Sequence, residues 1–283
     1  MQIIYFDGQY IPKGYAKLTD DTVVWRGRGV FEALEARGKI PFHFDDHYER
    51  LIESCRLSRI PTISLLSRYS MLEKIECILE NNRIPESVVK IAVTRGDSLN
   101  DLTPTADPKL IIKNFPMPAA KNSLKLETQA GIRRRPLSKS IGEYDDAIIR
   151  REEAIERGFD DFLYRDPWVG ITEASLSNVF FVTKRNELVT PSNGVLLGIT
   201  RKIVLALAKA TCLFSAVYEK PDIHPVFLKG CREVFLTSTT LGVAEVLSID
   251  GIEYAKGSLR RKAEILQKMF LDYRNQYYKE RGA

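Results

Sequence analysis

KSIGEYDDAIIRREEAIERG, Lys139 to Gly158, sets a lysine in a short loop behind the basic run Arg133-Arg134-Arg135 and leads into a helix read over Asp145 to Arg157. Alone, Lys139 is a solvated loop lysine. Its weight comes from three motifs downstream. GITEASLSN, Gly170 to Asn178, places one carboxylate, Glu173, among small polar residues at the entry to the apolar strand Asn178 to Thr183. GITR, Gly198 to Arg201, opens a helix read over Thr200 to Thr211, where free backbone N–H groups and the helix dipole favour an anion such as phosphate. TSTT, Thr237 to Thr240, follows the strand Glu233 to Thr237 and offers hydroxyls and amides at one strand end. Each motif also has an ordinary reading: a turn with a surface glutamate, capping by Thr200, a Ser/Thr turn.

Outward from this region, strands are read over Leu124 to Ile132, Phe162 to Tyr164, Glu187 to Thr190 and Val243 to Ile249, with a final helix from about Lys256. The first third mixes short strands with two helices. Gln2 to Phe6 alternates before the Asp7-Gly8 turn, and Val30 to Phe44 carries two extended runs broken at Arg37-Gly38-Lys39, a hairpin. Asp45 is the expected N-cap of a helix to about Arg59, and Ser64 to Asn81 repeats the helical spacing. Val88 to Thr94 and Leu110 to Phe115 are strands, and the prolines of FPMPAAKN (Phe115 to Asn122) end the second of them. The expected organisation is α+β: a small N-terminal α/β domain (1–116), a linker (117–122), and a larger C-terminal domain (123–283) with a mixed β core and flanking helices.

Composition narrows the function classes. The 283 residues are 44% hydrophobic and 28% charged, an ordinary globular balance, and 42 basic residues face 37 acidic ones with the signs interspersed. The short basic clusters, Arg133-Arg134-Arg135 among them, read as solvated faces or ion-pair sites, and no aromatic-basic nucleic-acid motif accompanies them. Cys55, Cys77, Cys212 and Cys231 are widely spaced and there are only three histidines, so neither a metal site nor a disulfide framework is expected. The N-terminus lacks a leader pattern and no apolar run reaches membrane-span length, which places the expectation in the cytoplasm, off the membrane. GxxxxGK[ST], GxGxxG, HExxH and GxSxG are all absent.

One lysine, one carboxylate and two phosphate-type cradles in one stretch are what a pyridoxal 5′-phosphate site requires. Their order and spacing resemble the class IV, fold type IV aminotransferases: branched-chain aminotransferase, D-amino acid transaminase and aminodeoxychorismate lyase. Gly29-Val30-Phe31-Glu32 and Asp46-His47-Tyr48-Glu49-Arg50-Leu51 extend the resemblance over nearly the whole chain. It implies that Lys139 is the Schiff-base lysine, both covalent anchor and acid/base, which needs a lowered pKa to act as a nucleophile. Glu173 then sits beside the pyridine nitrogen and Tyr144 on the phenolic oxygen, while Glu143 replaces the family's asparagine. Arg50, Ile199, Thr200, Ser238 and Thr239 fall on phosphate-binding positions, and Asn178 joins the cofactor-binding set. The resemblance also implies a homodimer with active sites near the interface, the cofactor held between the domains, and amino acid and keto acid substrates.

Substrate choice is read from departures. The family's GDG is here Gly27-Arg28-Gly29, and the segment after Val93-Thr94-Arg95-Gly96, Asp97 to Leu102, lacks the arginine and histidine that trap the α-carboxylate in well-known D-amino acid transaminases. Arg28, offered across the dimer, is the expected replacement, with Phe31 and Lys90 as further substrate-binding residues. This resembles a non-standard D-amino acid transaminase that moves the amino group of D-glutamate or D-alanine to a 2-keto acid by a ping-pong mechanism. The alternatives are an L-branched-chain aminotransferase, supported by Phe31 and Tyr144, and then aminodeoxychorismate lyase.

Overall fold

The computed structural model describes residues 2–62, 67–98, 107–119, 121, 123–254 and 261–282. The chain divides into two compact units: Met1–Pro118 with Ser138–Glu143 and Gln276–Ala283, and Ala119–Leu137 with Tyr144–Asn275. The lysine-bearing segment is thus part of the first unit, apart from its neighbours in sequence.

The first unit contains β1 (Ile3–Phe6), β2 (Gln9–Pro12), α1 (Thr22–Arg26), β3 (Gly29–Arg37), β4 (Ile40–Pro41), α2 (Phe44–Leu57), α3 (Arg68–Asn82), β5 (Glu86–Thr94) and β6 (Leu110–Pro116). Its antiparallel sheet runs β2-β1-β6-β5-β3-β4. Alternation decides the two faces of the central strands. Val30 and Leu34 of β3 and Val89, Ile91 and Val93 of β5 bury with Leu51 and Cys55 of α2 and Met71, Ile75 and Ile78 of α3. Phe31 and Lys90 have the opposite parity and share the other face. Helix α2 begins earlier than Asp45: His43, in the left-handed region at φ 51°, is its N-cap and makes no side-chain cap bond. The expected start of α3 lies partly outside the described residues, and Ser67 caps the helix seen there.

β4 covers only the Ala36–Arg37 end of β3, leaving the Val30–Phe31 edge open to pairing. The lysine segment fills it. Phe31 N–H donates to the Lys139 carbonyl (2.9 Å), Val30 bridges Ser140, and Lys139 N–H donates to Ser54 Oγ of α2 (3.1 Å). Gly27 ends α1 at φ 61°, and a Cβ there would stand 2.9 Å from Gly142 Cα, so the close approach of this segment needs glycine.

The second unit contains β7 (Ser123–Ala130), α4 (Tyr144–Glu156), β8 (Asp161–Asp166), β9 (Gly170–Ala174), β10 (Asn178–Thr183), β11 (Glu187–Pro191), α5 (Ile199–Lys209), β12 (Ala216–Lys220), β13 (Cys231–Ser238), β14 (Gly242–Ile249), β15 (Ile252–Glu253) and most of α6 (Lys262–Glu280). The sheet runs β12-β11-β10-β13-β14-β7-β8-β9, and β9 also pairs β10 through Glu173 and Asn178. That pair closes β10, β13, β14, β7, β8 and β9 into a ring around Leu126, Leu163, Ile171, Val179, Phe181, Val234, Leu236 and Val246. The expected helix start near Lys256 lies outside the described residues.

Candidate active site

In the first unit the functional face of the sheet gathers Phe31, Lys90 and Lys139. Lys139 Nζ stands 4.7 Å from the Phe31 ring centroid, and Lys90 Nζ lies 5.9 Å from the same ring and 5.8 Å from that of Phe115. Burial first, then the charges of Lys113 and Lys139, lower the Lys90 pKa.

Arg50 projects from α2 toward β3, where Glu32 is fully buried. Arg50 Nε and Nη2 each donate to Glu32 at 2.7 Å, and His47 Nδ1 lies 2.8 Å from the same carboxylate. Burial alone raises the Glu32 pKa, but Arg50 and His47 outweigh it and hold the carboxyl well below the usual range. His47 is shifted downward, chiefly by burial, with Glu32 opposing and Arg50 and Lys139 reinforcing. It is therefore a neutral imidazole that donates its Nδ1 hydrogen. Arg50 of α2 is thus paired with Glu32 on the strand β3.

Arg28 is exposed and donates to the Ser58 carbonyl at 3.4 Å, and Ser58 Oγ lies 2.9 Å from Ser138 Oγ, next to Lys139. The flanking Gly27 and Gly29 pack on Gly142 and Ile141 of the lysine segment.

The second unit holds Glu173 and Asn178 in one row across its strands. Glu173 of β9 faces Asn178 of β10, which faces Thr237 of β13. Glu173, expected in its ordinary reading to be a surface turn residue, is 2% exposed. Leu196 N–H donates to Glu173 Oε2 (2.9 Å), and Asn178 Nδ2 donates to the Leu196 carbonyl (2.7 Å) and to Glu173 (3.3 Å). These bonds fasten the loop before α5 to the row. A Cβ on Gly198 would stand 2.2 Å from Asn178 Oδ1, so glycine is required at that junction. Gly198 is the N-cap of α5 and supplies no side-chain bond, leaving the N–H groups at Ile199 and Thr200 uncapped by a side chain. Ser238 Oγ accepts from Leu241 N–H (3.3 Å), an ordinary turn bond, and Thr239 lies just beyond β13.

Two residues were not singled out as sequence candidates, although Thr237 lies in the TSTT stretch read as offering hydroxyls. Arg133, whose cluster reads in sequence as a solvated face or an ion-pair site, takes the second course and is 3% exposed: its Nε lies 3.2 Å from Glu173 Oε1, its Nη2 donates to the Ser175 carbonyl (3.0 Å), and its guanidinium lies 4.2 Å from the Tyr144 ring centroid. No local signal separates Arg133 from Arg134 and Arg135. Thr237 is the other: its buried hydroxyl has no hydrogen-bond partner among the described residues. That hydroxyl and the uncapped α5 N-terminus as donors, with the buried carboxylate as acceptor, make a set that fits a phosphorylated heteroaromatic.

A model of the family described as amino-transferase class IV matches residues 29–249. A probable branched-chain-amino-acid aminotransferase of Rickettsia typhi is 31% identical over 87% of both chains. A D-alanine aminotransferase of Staphylococcus haemolyticus is 26% identical over 96% of this chain and 98% of its own. In fold, the chain is similar to Escherichia coli branched-chain aminotransferase, with TM-score 0.87 at 24% identity, covering 96% of this chain and 93% of that one. The chain belongs to the class IV aminotransferases, enzymes that use pyridoxal 5′-phosphate.

Proposed function

We propose that this enzyme transfers the amino group of a branched-chain L-amino acid to a 2-oxo acid. The observation that carries the catalytic assignment is Lys139, fixed along β3 with its amine over the Phe31 ring. The substrate assignment is supported by the relatives, most of which carry branched-chain names. This ranks the L-branched-chain alternative above the D-amino acid expectation.

Pyridoxal 5′-phosphate, when bound, supplies the electron sink that makes the substrate α-proton removable. Lys139 Nζ takes that proton and returns it. Glu173, held by Leu196 N–H and Asn178, would accept a hydrogen bond from the cofactor's ring nitrogen and keep it protonated, and Tyr144 would donate one to the ring oxygen. In the first unit Arg50, clamped by Glu32, would offer its guanidinium to a phosphate; in the second unit the N–H groups at Ile199 and Thr200 and the hydroxyls of Thr237, Ser238 and Thr239 would be the phosphate donors. Phe31 and Lys90 address the substrate.

The D-amino acid reading stays second on one observation. Arg95 N–H donates to the Arg28 carbonyl (2.9 Å), and Arg95 Nε and Nη1 are buried without a hydrogen-bond partner among the described residues. Two adjacent arginines suit a carboxylate. The test is the visible spectrum of the purified holoenzyme, titrated without keto acceptor. Bleaching by L-leucine and L-glutamate is expected, bleaching by D-alanine and D-glutamate alone would reverse the ranking, and pyruvate release from aminodeoxychorismate would establish the lyase instead.

A further inference from the structure

Arg133 touches both residues proposed for the two ends of the cofactor ring. Its Nε stands 3.2 Å from the Glu173 carboxylate, and its guanidinium lies 4.2 Å from the Tyr144 ring centroid. It is also anchored at Ser175, whose hydroxyl donates to buried Asp161 (2.9 Å), so the turn between β9 and β10 holds the guanidinium in place. A fully buried cation is retained where the gain from its partners exceeds its desolvation cost. Here burial opposes the charged form, but Glu173 and Tyr144 outweigh it and raise the Arg133 pKa above its ordinary value.

We infer that Arg133 is a positioning residue that couples Glu173 to Tyr144, fixing the distance between them and the charge state of both. It rests on the proposed cofactor roles of those two residues. Because Arg133 stays cationic, Glu173 stays a carboxylate and does not capture a proton from the solvent side. The same cation beside Tyr144 makes the phenol a stronger donor to the ring oxygen. Charge at one end of the site is thereby linked to hydrogen bonding at the other through one side chain.

The test compares Arg133→Met, Arg133→Lys and Tyr144→Phe for affinity of the apoprotein for pyridoxal 5′-phosphate and for the pH midpoint of the bound cofactor's visible band. Removing a nearby positive charge favours protonated forms, so Arg133→Met should move that midpoint upward by about one pH unit or more. It should also weaken cofactor binding by about tenfold or more, the scale of loss when a residue that orients a ligating group is removed. Arg133→Lys keeps the charge and should recover the midpoint while recovering less of the affinity. In the Arg133→Met background, Tyr144→Phe should shift the midpoint less than it does in the parent. An unchanged midpoint in Arg133→Met, or additive shifts, would overturn the inference. If Arg133→Met fails to fold, Arg133→Lys decides, and a midpoint displaced as far by Lys as by Tyr144→Phe would count against it. A parent protein that binds no cofactor, or Glu173→Gln and Tyr144→Phe variants with parental spectra, would instead overturn the underlying site assignment.

Discussion

At the residue scale, the Glu32–His47–Arg50 cluster is an acid buried for the sake of a base. Glu32 shares the parity of Val30 and Leu34, so the core face of β3 carries a charge at its centre, tolerable because Arg50 grips it twice. Glu32→Gln leaves the guanidinium without its counter-charge, and we expect a loss of about 3–5 kcal/mol in unfolding free energy together with weaker cofactor binding, measured by denaturant titration and by apoprotein reconstitution. The pH dependence has a definite sign. The folded pKa of His47 lies below its unfolded value near 6.5, so as pH falls through that value the unfolded chain takes a proton that the folded chain refuses. Stability should decline from pH 7.5 to 5.5, and His47→Gln should flatten that decline in thermal melts. Glu32 acts in the same direction but only in stronger acid, because its contribution is complete above the ordinary glutamate pKa and is lost as pH falls toward its lowered folded value. The pairing of Arg50 with Glu32 was not legible in sequence, because eighteen residues separate the two and only the docking of α2 on β3 brings them together.

At the element scale, the closure of the second unit's sheet places the candidate residues. The β9–β10 pairing brings Glu173 beside Asn178, and the β10–β13 register brings Asn178 beside Thr237, residues that stand well apart along the chain. Helix α5 is tied to that row through Leu196 and Gly198. Gly198→Ala would drive its methyl into Asn178 Oδ1, so we expect about 1–3 kcal/mol of destabilisation from overpacking and a cofactor affinity reduced by displacement of the helix N-terminus. Asn178→Ala should produce a similar affinity loss without the clash, leaving the buried Leu196 carbonyl short of its donor; reconstitution of both apoproteins tests the pair. β10, β13 and β14 were legible because continuous apolar or β-branched runs announce buried strands. β9 was not, since its flanking small polar residues read as a turn until partners on both sides bury it.

At the scale of the whole molecule, the family is settled and the substrate is the open choice between hands. Arg28 tests it. If the D-amino acid reading holds, Arg28→Ala should raise the KM for D-glutamate or D-alanine by about tenfold or more, the loss of one charge-assisted contact. Under the branched-chain reading the same substitution should leave the KM for L-leucine near the parent value. α1 exposes Val24 and Trp25, the latter at 58%, beside Arg28. A homodimer that covers them is the proposed assembly, and light scattering should return twice the chain mass. No helix among the described residues is long and apolar enough to cross a membrane.

The sequence alone determined the class of enzyme and the α+β composition, and it supplied Lys139, Glu173, Tyr144, Arg50 and the α5 N-terminus as candidates, because motif order and hydrophobic period are local properties written along the chain. The tertiary structure alone decided the rest: that Lys139 leaves its sequence neighbours to complete the open edge of β3, that Glu32 holds Arg50, that the closed ring of strands aligns Glu173, Asn178 and Thr237, and that one arginine of three is buried against Glu173 and Tyr144. Burial and pairing depend on which distant segment arrives to exclude water, and a basic run carries no record of which of its members that segment will cover.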